Sequence, residues 1–438
     1  MNSILTKKWQ WKETCSEEIW AFIGLLMLGG VQRSRNERLD ELWSIANGRP
    51  IFRATMSKNR MISLLRFCRF DDKATRDARI QVNKMAPIDE FWTLFLAQLQ
   101  ICYVPSGSMT VDEQLIPTRG RCEFRQYMRN KPGKYGIKVF WYCDSKTAYP
   151  LKGEVYVGRH REAASPANKN GIKELVKRLV TRWINKGRSV TTDYYFTSVE
   201  LAEDLLGVQT TLVGTIRKNK RDISEELQAI RQRPKHSSTF AFDRQLTLVS
   251  YVPKRGTAVM LLSSLHHDMI LSKETHQKPE IILYYNETKG GVHRMDQMVE
   301  TYSCKRKINR WPMTFFFNMI DVAGIAAYVI WTTKNPQWNN NKRHRRRIFL
   351  QQLGRSLVDS YLNQRSKNPQ AVQQGARLAM SNIGILMARP VNTRSASTGR
   401  QHCHVCPRKR DKKVATRCST CNFPCCPNHH KIICDTCL

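Results

Sequence analysis

Acidic residues are scarce in this chain. Its 438 residues hold 36 Asp and Glu against 72 Lys and Arg, a formal net charge of +36. A surface so poor in negative groups repels itself unless it meets a polyanion, so nucleic acid is the first partner to expect. No long amphipathic basic helix stands out, which counts against an anionic membrane surface. Hydrophobic runs are short as well. The notable one, Ile19–Val31, is too short to cross a bilayer, and Glu17 and Glu18 directly before it are wrong for a signal peptide. Thr14-Cys15-Ser16-Glu17 instead fits a capped helix start, and the run reads as a buried helix of an intracellular protein. Internal repeats are missing. With 41% hydrophobic and 9% aromatic residues, disorder is confined to local polar stretches. The length predicts two to four domains.

Cysteine is present but unevenly placed. Six of fourteen are scattered through residues 1–400, and eight crowd between Cys403 and Cys437. The crowd reads Cys403-x-x-Cys406, Cys418-x-x-Cys421, Cys426-x-x-His429 and Cys434-x-x-Cys437. Two intervening residues let both ligand atoms of a pair reach one ion at about 2.3 Å, so eight ligands predict two tetrahedral zinc sites. A unit this short cannot bury a core, and metal binding would drive its folding. The alternative, a disulfide framework, lacks a secretory signal. A cross-braced arrangement would place pairs one and three on one zinc and pairs two and four on the other. Cys425 and His430 are adjacent spares that could trade places with Cys426 and His429. "PRKRDKK" within this unit would contact phosphate or form a solvated loop.

Along the chain, "SLLRFCRF" and "IDEFWTLFLAQLQIC" carry apolar residues at helical spacing. The texture changes near Ser108. "SMTVDEQL" alternates as a strand does, and "KYGIKVFWYCDSKTAYPLKGEVYVG" reads as two strands around an Asp144-Ser145-Lys146 turn. "IKELVKRLVTRWINKG" is an amphipathic helix stopped by Gly187, "SVTTDYYF" a strand, "SVELAEDLL" a helix and "QTTLVGTIR" a strand. The order β-β-β-α-β-α-β builds a mixed sheet with helices packed on it, an α/β class. "STFAFDRQLTLVSYVP" and "TAVMLLSSLH" then read as antiparallel strands of an insertion. "WPMTFFFNMIDVAGIAAYVIW" is a largely apolar buried helix, and residues 364–400 are a polar linker.

Asp112 ends "SMTVD" on the first strand, and Asp193 ends "SVTTD" on a later one. In "KGGVHRMDQM", His293 and Asp296 are three residues apart and share a helix face. Acids on two strands and a helix suit divalent ions that clamp the attacking and leaving oxygens in phosphoryl transfer, and hard Mg²⁺ takes such oxygen ligands. Taken alone, an Asp at a strand end is a weak signal, since most cap turns.

The segments 109–138, 191–206, 210–223 and 280–312 resemble the piggyBac transposase family closely. "EEIWAFIGLLMLGGV" and "RATMSKNRMISLLRF" are similar to its N-terminal helical region, and the C-terminal cysteines to its cysteine-rich domain. The resemblance implies an RNase H-like catalytic core with a β-rich insertion, an N-terminal helical region and a C-terminal two-zinc domain. It divides the chain into a helical DNA-binding and dimerisation region (1–105), the first part of the core (106–217), the insertion (218–285), the last part of the core with returning helices (286–362), a linker (363–400) and the cross-brace zinc domain (401–438). Asp112 and Asp193 match the family's first and second catalytic acids. The third segment should read G-V-D-x-x-D. Here Asp296 matches its second acid, and His293 replaces the first. The resemblance further implies Mg²⁺ or Mn²⁺ at Asp112, Asp193 and Asp296, and cleavage and rejoining of double-stranded DNA at TTAA. It implies binding of transposon ends by the cysteine-rich domain, a homodimer, and no membrane.

Two basic runs flank the acids: Arg119, Arg121, Arg125, Arg129, Lys131, Lys134 and Lys138 after the first, and Lys305, Arg306, Lys307 and Arg310 after the last. Both would set positive charge along a DNA backbone. Tyr127 and Trp311 could stack on exposed bases, although Trp311 equally suits a core. "KRHRRR" (342–347) reads as a nuclear localisation signal, a phosphate contact or a solvated helix face. His293 is the departure that matters. An imidazole suits Mn²⁺ better than Mg²⁺ and brings one negative charge less. His-x-x-Asp is also similar to the last motif of Holliday-junction resolvases in the same superfamily, and the His could deprotonate an attacking water. The expectation is a transposase whose activity is reduced or Mn²⁺-shifted. The alternative is a domesticated, silent DNA- or chromatin-binding descendant. A two-zinc interaction module on another scaffold leaves both aspartate segments unexplained.

Overall fold

The computed structural model of the chain describes residues 11–158, 171–217, 223–228, 233–273, 276–368, 372–387, 400–407, 413–417 and 423–429. It divides into two compact units, one of residues 1–28, 36–68 and 351–438, the other of residues 29–35 and 69–350.

Helices come first, as the 3.6-residue spacing predicts: α1 Ser16–Val31, α2 Leu39–Leu42, α3 Pro50–Thr55, α4 Lys58–Phe67, α5 Arg76–Val82 and α6 Asp89–Ile101. In the first unit α1 buries Ala21, Phe22, Leu25 and Leu26, and Ser57 caps α4 by accepting the Arg60 N–H. Glu18, read from the sequence only as evidence against a signal peptide, is a buried ion-pair partner. Arg60 Nε and Nη2 donate to its two oxygens at 2.8 and 2.7 Å, and Tyr361 adds a third donor at 3.1 Å. Burial would raise its pKa, but Arg60 and Tyr361 together pull it below the usual carboxylate range.

The second unit is built on one sheet of nine strands, with partner order β2-β3-β1-β5-β6-β9-β8-β7 and β4 paired on β3. Its first strands are β1 Ser108–Pro117, β2 Gln126–Tyr127, β3 Tyr135–Asp144 and β4 Pro150–Val155. After α7 Gly171–Val180 come β5 Arg188–Thr192, α8 Val199–Leu206 and β6 Thr210–Thr215. β1 and β3 are antiparallel, whereas β5 lies parallel to β1 and β6 parallel to β5. This is the mixed α/β sheet the alternation predicted. α7 ends earlier than expected, and Gly187 marks the turn into β5 at φ +61°. Asp144 is fully enclosed at the β3–β4 turn. Its Oδ1 accepts the Lys146 and Thr147 N–H groups and the Thr147 hydroxyl, and its Oδ2 accepts Ser106 N–H.

Beyond the short α9 Glu225–Gln228, the strands β7 Ser238–Asp243, β8 Leu246–Lys254 and β9 Thr257–Ser263 continue the same sheet, because β9 pairs antiparallel with β6 from Val213↔Ser263 to Thr215↔Leu261. The strands expected as an insertion therefore share the core's hydrogen-bond ladder. α10 Glu280–Thr288 and α11 Gly291–Thr301 follow, then α12 Trp311–Lys334 and α13 Arg345–Ser366. α12 is long and apolar enough to cross a bilayer by length and composition, but 72% of its apolar window is buried inside the protein. Phe315 meets Trp92 edge-on at 5.0 Å, and Phe316 meets Phe70 at 4.8 Å.

The polar stretch 363–400 corrects one expectation. It is not all connecting chain: Gln374–Asn382 forms α14, which packs on α3 and buries Ala379 and Met380. A single short apolar stripe inside a Gln-rich sequence hides such a helix from a compositional reading. Among the described residues the last elements are the paired β10 Gln401–His402 and β11 Lys413–Val414.

Candidate active site and metal cluster

The parallel register of β1 and β5 runs to Val111↔Thr192, so Asp112, still on β1, and Asp193, the first residue past β5, follow the last paired position. α11 brings in Asp296. It lies close to β1 because it starts at Gly291, where a Cβ would sit 2.7 Å from Thr110 Oγ1. Threonines bolt the neighbouring elements together. Thr110 Oγ1 donates to the Thr288 carbonyl at 2.6 Å, and Thr191 and Thr288 share a hydroxyl contact of 2.7 Å.

Each of the three carboxylates has one oxygen held. Asp112 Oδ1 accepts Glu113 N–H at 2.7 Å, Asp193 Oδ1 accepts Tyr195 N–H at 2.9 Å, and Asp296 Oδ1 accepts Gln114 Nε2 at 2.9 Å. Among the described residues none of the three forms an ion pair; Phe196 N–H is a second backbone donor that pulls Asp193 down, and the Oδ2 atoms of Asp112 and Asp296 have no hydrogen-bond partner. Burial pushes Asp112 up to about 7, with Glu113 and Asp193 adding repulsion against the pull of the Glu113 N–H and Lys131. Burial also raises Asp193, aided by Glu113, and raises Asp296, aided by Glu300. Crowded carboxylates in a partly dry cleft are stabilised in their charged form by a cation, and their oxygens suit a hard divalent ion. The donor set thus fits the expected ions, although the three acids are not drawn as close together as the thiols described below.

His293 is exposed at the start of α11, and its electrostatic influence reaches Asp296. Sequence reasoning missed three residues here. Glu113 faces away from Asp112 by strand alternation yet adds repulsion to both strand acids. Gln114 and Asn318 form a buried amide pair beside Asp296. Only the two-residue step from Asp112 to Gln114, which puts both on one strand face, could have pointed to this support.

Of the basic residues, Arg119, Arg121, Arg125, Arg129, Lys134 and Lys307 are exposed. Lys131 is half-buried, with Nζ donating to the Glu113 carbonyl at 2.8 Å. Lys138 packs over the Phe140 and Tyr195 rings at 4.5 and 4.7 Å. Lys305 and Arg306 serve the fold, donating to the carbonyls of Pro117 and Ser34. Burial, with Arg35 nearby, lowers Lys305 to about 8. Arg121 and Arg310 line a cavity of about 440 Å³ with Arg69, Arg76 and Trp311, whose ring meets Phe124 edge-on at 5.1 Å. Tyr127 is exposed and leans on Tyr135.

In the other unit, Cys403, Cys406, Cys426 and His429 present their ligand atoms within 4.8 Å of one another. Cys406 and Cys426 Sγ are 3.6 Å apart, and His429 Nδ1 lies 3.4 and 3.2 Å from them. A tetrahedron with 2.3 Å metal–sulfur bonds has edges of about 3.8 Å, close to this spacing. Burial works against Cys403 ionising, but N–H groups of Cys426, Cys406 and Val405 outweigh it and bring the thiol to about 6. Burial and the two neighbouring thiols push Cys406 up to about 11, a crowding that a cation relieves. The first and third pairs meet, with Cys426 and His429 as the ligands. Cys425 is buried beside them and donates its N–H to the Thr416 carbonyl. Cys418, Cys421, Cys434, Cys437 and His430 lie outside the described residues.

The profile of the family described as Transposase IS4 matches residues 1–328. The human PiggyBac transposable element-derived protein 3 is 23% identical over 328 residues, covering 70% of this chain and 54% of that protein. The human PiggyBac transposable element-derived protein 2 is 21% identical over 358 residues, covering 73% and 56%. The chain thus spans about half the length of these curated relatives. A cryo-EM structure of a piggyBac transposase synaptic complex with hairpin DNA contains a chain 36% identical to this one, with a TM-score of 0.82 over 98% of this chain and 89% of that one. Matched over most of its length in sequence and in fold, the chain belongs to the piggyBac transposase family.

Proposed function

We propose that the chain is a DNA transposase that uses divalent metal ions to cut and rejoin strands at TTAA sites. The observation that carries this reading is the trio Asp112, Asp193 and Asp296, each with an oxygen held by a protein N–H donor and, among the described residues, none of them in an ion pair. Bound there, Mg²⁺ or Mn²⁺ would stabilise the attacking and leaving oxygens of the phosphodiester. β1 carries Asp112, the end of β5 leads into Asp193, and α11, which packs on β1, carries Asp296. His293, exposed and beside Asp296, takes the proton of the attacking water. The exposed arginines and lysines after Asp112 and after Asp296 hold the DNA backbone. The hairpin DNA in the related synaptic complex supports DNA as the partner, and the chain acts on it as a homodimer. Cys403, Cys406, Cys426 and His429 hold one zinc, Cys418, Cys421, Cys434 and Cys437 hold a second, and this unit binds the transposon ends. The run Lys342–Arg347 directs the protein to the nucleus.

A silent, DNA-binding descendant is the second reading, and His293 in place of a carboxylate favours it. An excision assay on a TTAA-flanked donor, run in Mg²⁺ and in Mn²⁺, separates the two. The proposal expects excision that is stronger in Mn²⁺, abolished by Asp193→Ala, and moved toward Mg²⁺ by His293→Asp. An inert chain revived by His293→Asp supports the silent reading. Activity unaffected by Asp193→Ala refutes the assignment of the acids.

A further inference from the structure

Gln114 is 1% exposed, between Trp141 at 0% and Asn318 at 6%. Its carboxamide has four hydrogen-bonding positions, and all four are filled. Oε1 accepts the Trp141 indole N–H at 3.0 Å and Asn318 Nδ2 at 3.2 Å. Nε2 donates to Asn318 Oδ1 at 3.2 Å and to Asp296 Oδ1 at 2.9 Å. The orientation of the amide is forced. An indole N–H only donates, so the oxygen of Gln114 has to face Trp141 and its NH₂ has to face Asp296. Flipping the amide would set two donors against each other at Trp141 and an oxygen against a carboxylate at Asp296. The reciprocal pair with Asn318 would break as well. Asp296 Oδ1 is therefore held by a donor that cannot turn away, and Oδ2 is left for a cation.

We infer that Gln114, locked by Trp141 and Asn318, is a positioning residue that sets the Asp296 carboxylate for the divalent metal. The inference rests on the reading of Asp296 as a metal-binding acid. Outer-shell hydrogen bonds to ligating carboxylates commonly change metal affinity about 10- to 100-fold. Gln114 acts on affinity, so its loss is answered by more metal. Trp141 acts one step further out. Its loss leaves the amide present but removes one of the contacts that fix its orientation, which weakens binding by a smaller factor.

The test uses the full chain, with the cysteine cluster loaded with zinc, and Mn²⁺ alone as the probe, titrated by electron paramagnetic resonance. Strand nicking at rising Mn²⁺ is the second readout. Asp112→Ala is expected to remove the Mn²⁺ signal. Gln114→Leu, and Gln114→Glu as the isosteric variant should the first fail to fold, are expected to raise the Mn²⁺ dissociation constant about 10- to 100-fold, with nicking recovering at saturating metal. Trp141→Phe is expected to raise it less. Phe52→Leu, a core change in the other unit, is expected to lower stability and leave the constant unchanged. A folded Gln114 variant that binds Mn²⁺ as the parent does overturns the positioning role alone. A parent that binds no Mn²⁺, or binds it independently of Asp112, overturns the reading of the acids and the positioning role with it.

Discussion

Asp321 shows how an acid can serve the fold while the neighbouring segment serves the site. It sits on α12, where Oδ2 accepts the Ser303 hydroxyl at 2.8 Å and Oδ1 accepts the Cys304 N–H at 2.9 Å, pinning the start of the basic run that follows α11. Burial drives its pKa up to about 7 despite those donors. A raised folded pKa means that the folded state binds the extra proton, so the stabilisation is complete below the unfolded value near 4 and fades as pH rises through about 7. The slope is at most about 1.4 kcal/mol per pH unit. Asp321→Asn is expected to flatten that slope, so that the variant gains on the parent between pH 5 and pH 8. Urea midpoints at both pH values check this, and parallel shifts would show that Asp321 does not titrate in that window. The candidate acids Asp112, Asp193 and Asp296 were legible because a carboxylate at a strand end or on a helix face is chemically conspicuous. Gln114 was not, since a neutral amide inside a strand carries no signal until its partners from β3 and α12 are in place.

Among the elements, β1, β3, β4, β5 and β6 and their helices follow from alternation and amphipathic spacing, both local properties, whereas the two-residue β2 was not read. The joining of β9 to β6 was not legible, because Val213 and Ser263 are far apart in sequence and their pairing is decided by the sheet. The cysteine unit is the opposite case. It has little besides its cysteines and histidines; the spacing marked the pairs but left their pairing open, and the structure brings the first and third together, as a cross-brace would. If the cluster holds zinc, as proposed, the fold of this unit depends on it. Treating the protein with a strong chelator is expected to release zinc and open residues 401–429 to protease, while the nine-stranded sheet keeps its unfolding transition. Zinc release without new cleavage would show that the unit folds by other means. Cys406→Ser should reproduce the chelator's effect without it.

For the whole molecule, a net charge of +36 makes binding to any polyanion strongly salt-dependent. Six of the candidate DNA-contacting residues are exposed: Arg119, Arg121, Arg125, Arg129, Lys134 and Lys307. If each meets a phosphate, the logarithm of duplex affinity falls against that of salt with a slope of about −5. Replacing Arg121 and Arg125 by Ala is expected to reduce the slope by about 2, read by fluorescence anisotropy across a salt series. Lys305→Ala and Arg306→Ala are expected to change stability more than the slope, since these side chains bond Pro117 and Ser34. An unchanged slope in the Arg121 and Arg125 variant would move the DNA path elsewhere.

The apolar character of α12 also sets a condition on how the protein is made. A helix of 24 residues with this composition would be a target for membrane insertion if it emerged from the ribosome with nothing to cover it. Phe70, Phe91, Trp92 and Gln114, which receive it, all precede it in the chain, as do all nine strands of the sheet. Synthesis from the N-terminus thus prepares the receptor before the ligand arrives. A circular permutant that placed residues 311–334 first would reverse that order and leave its most lipid-like segment waiting for a partner.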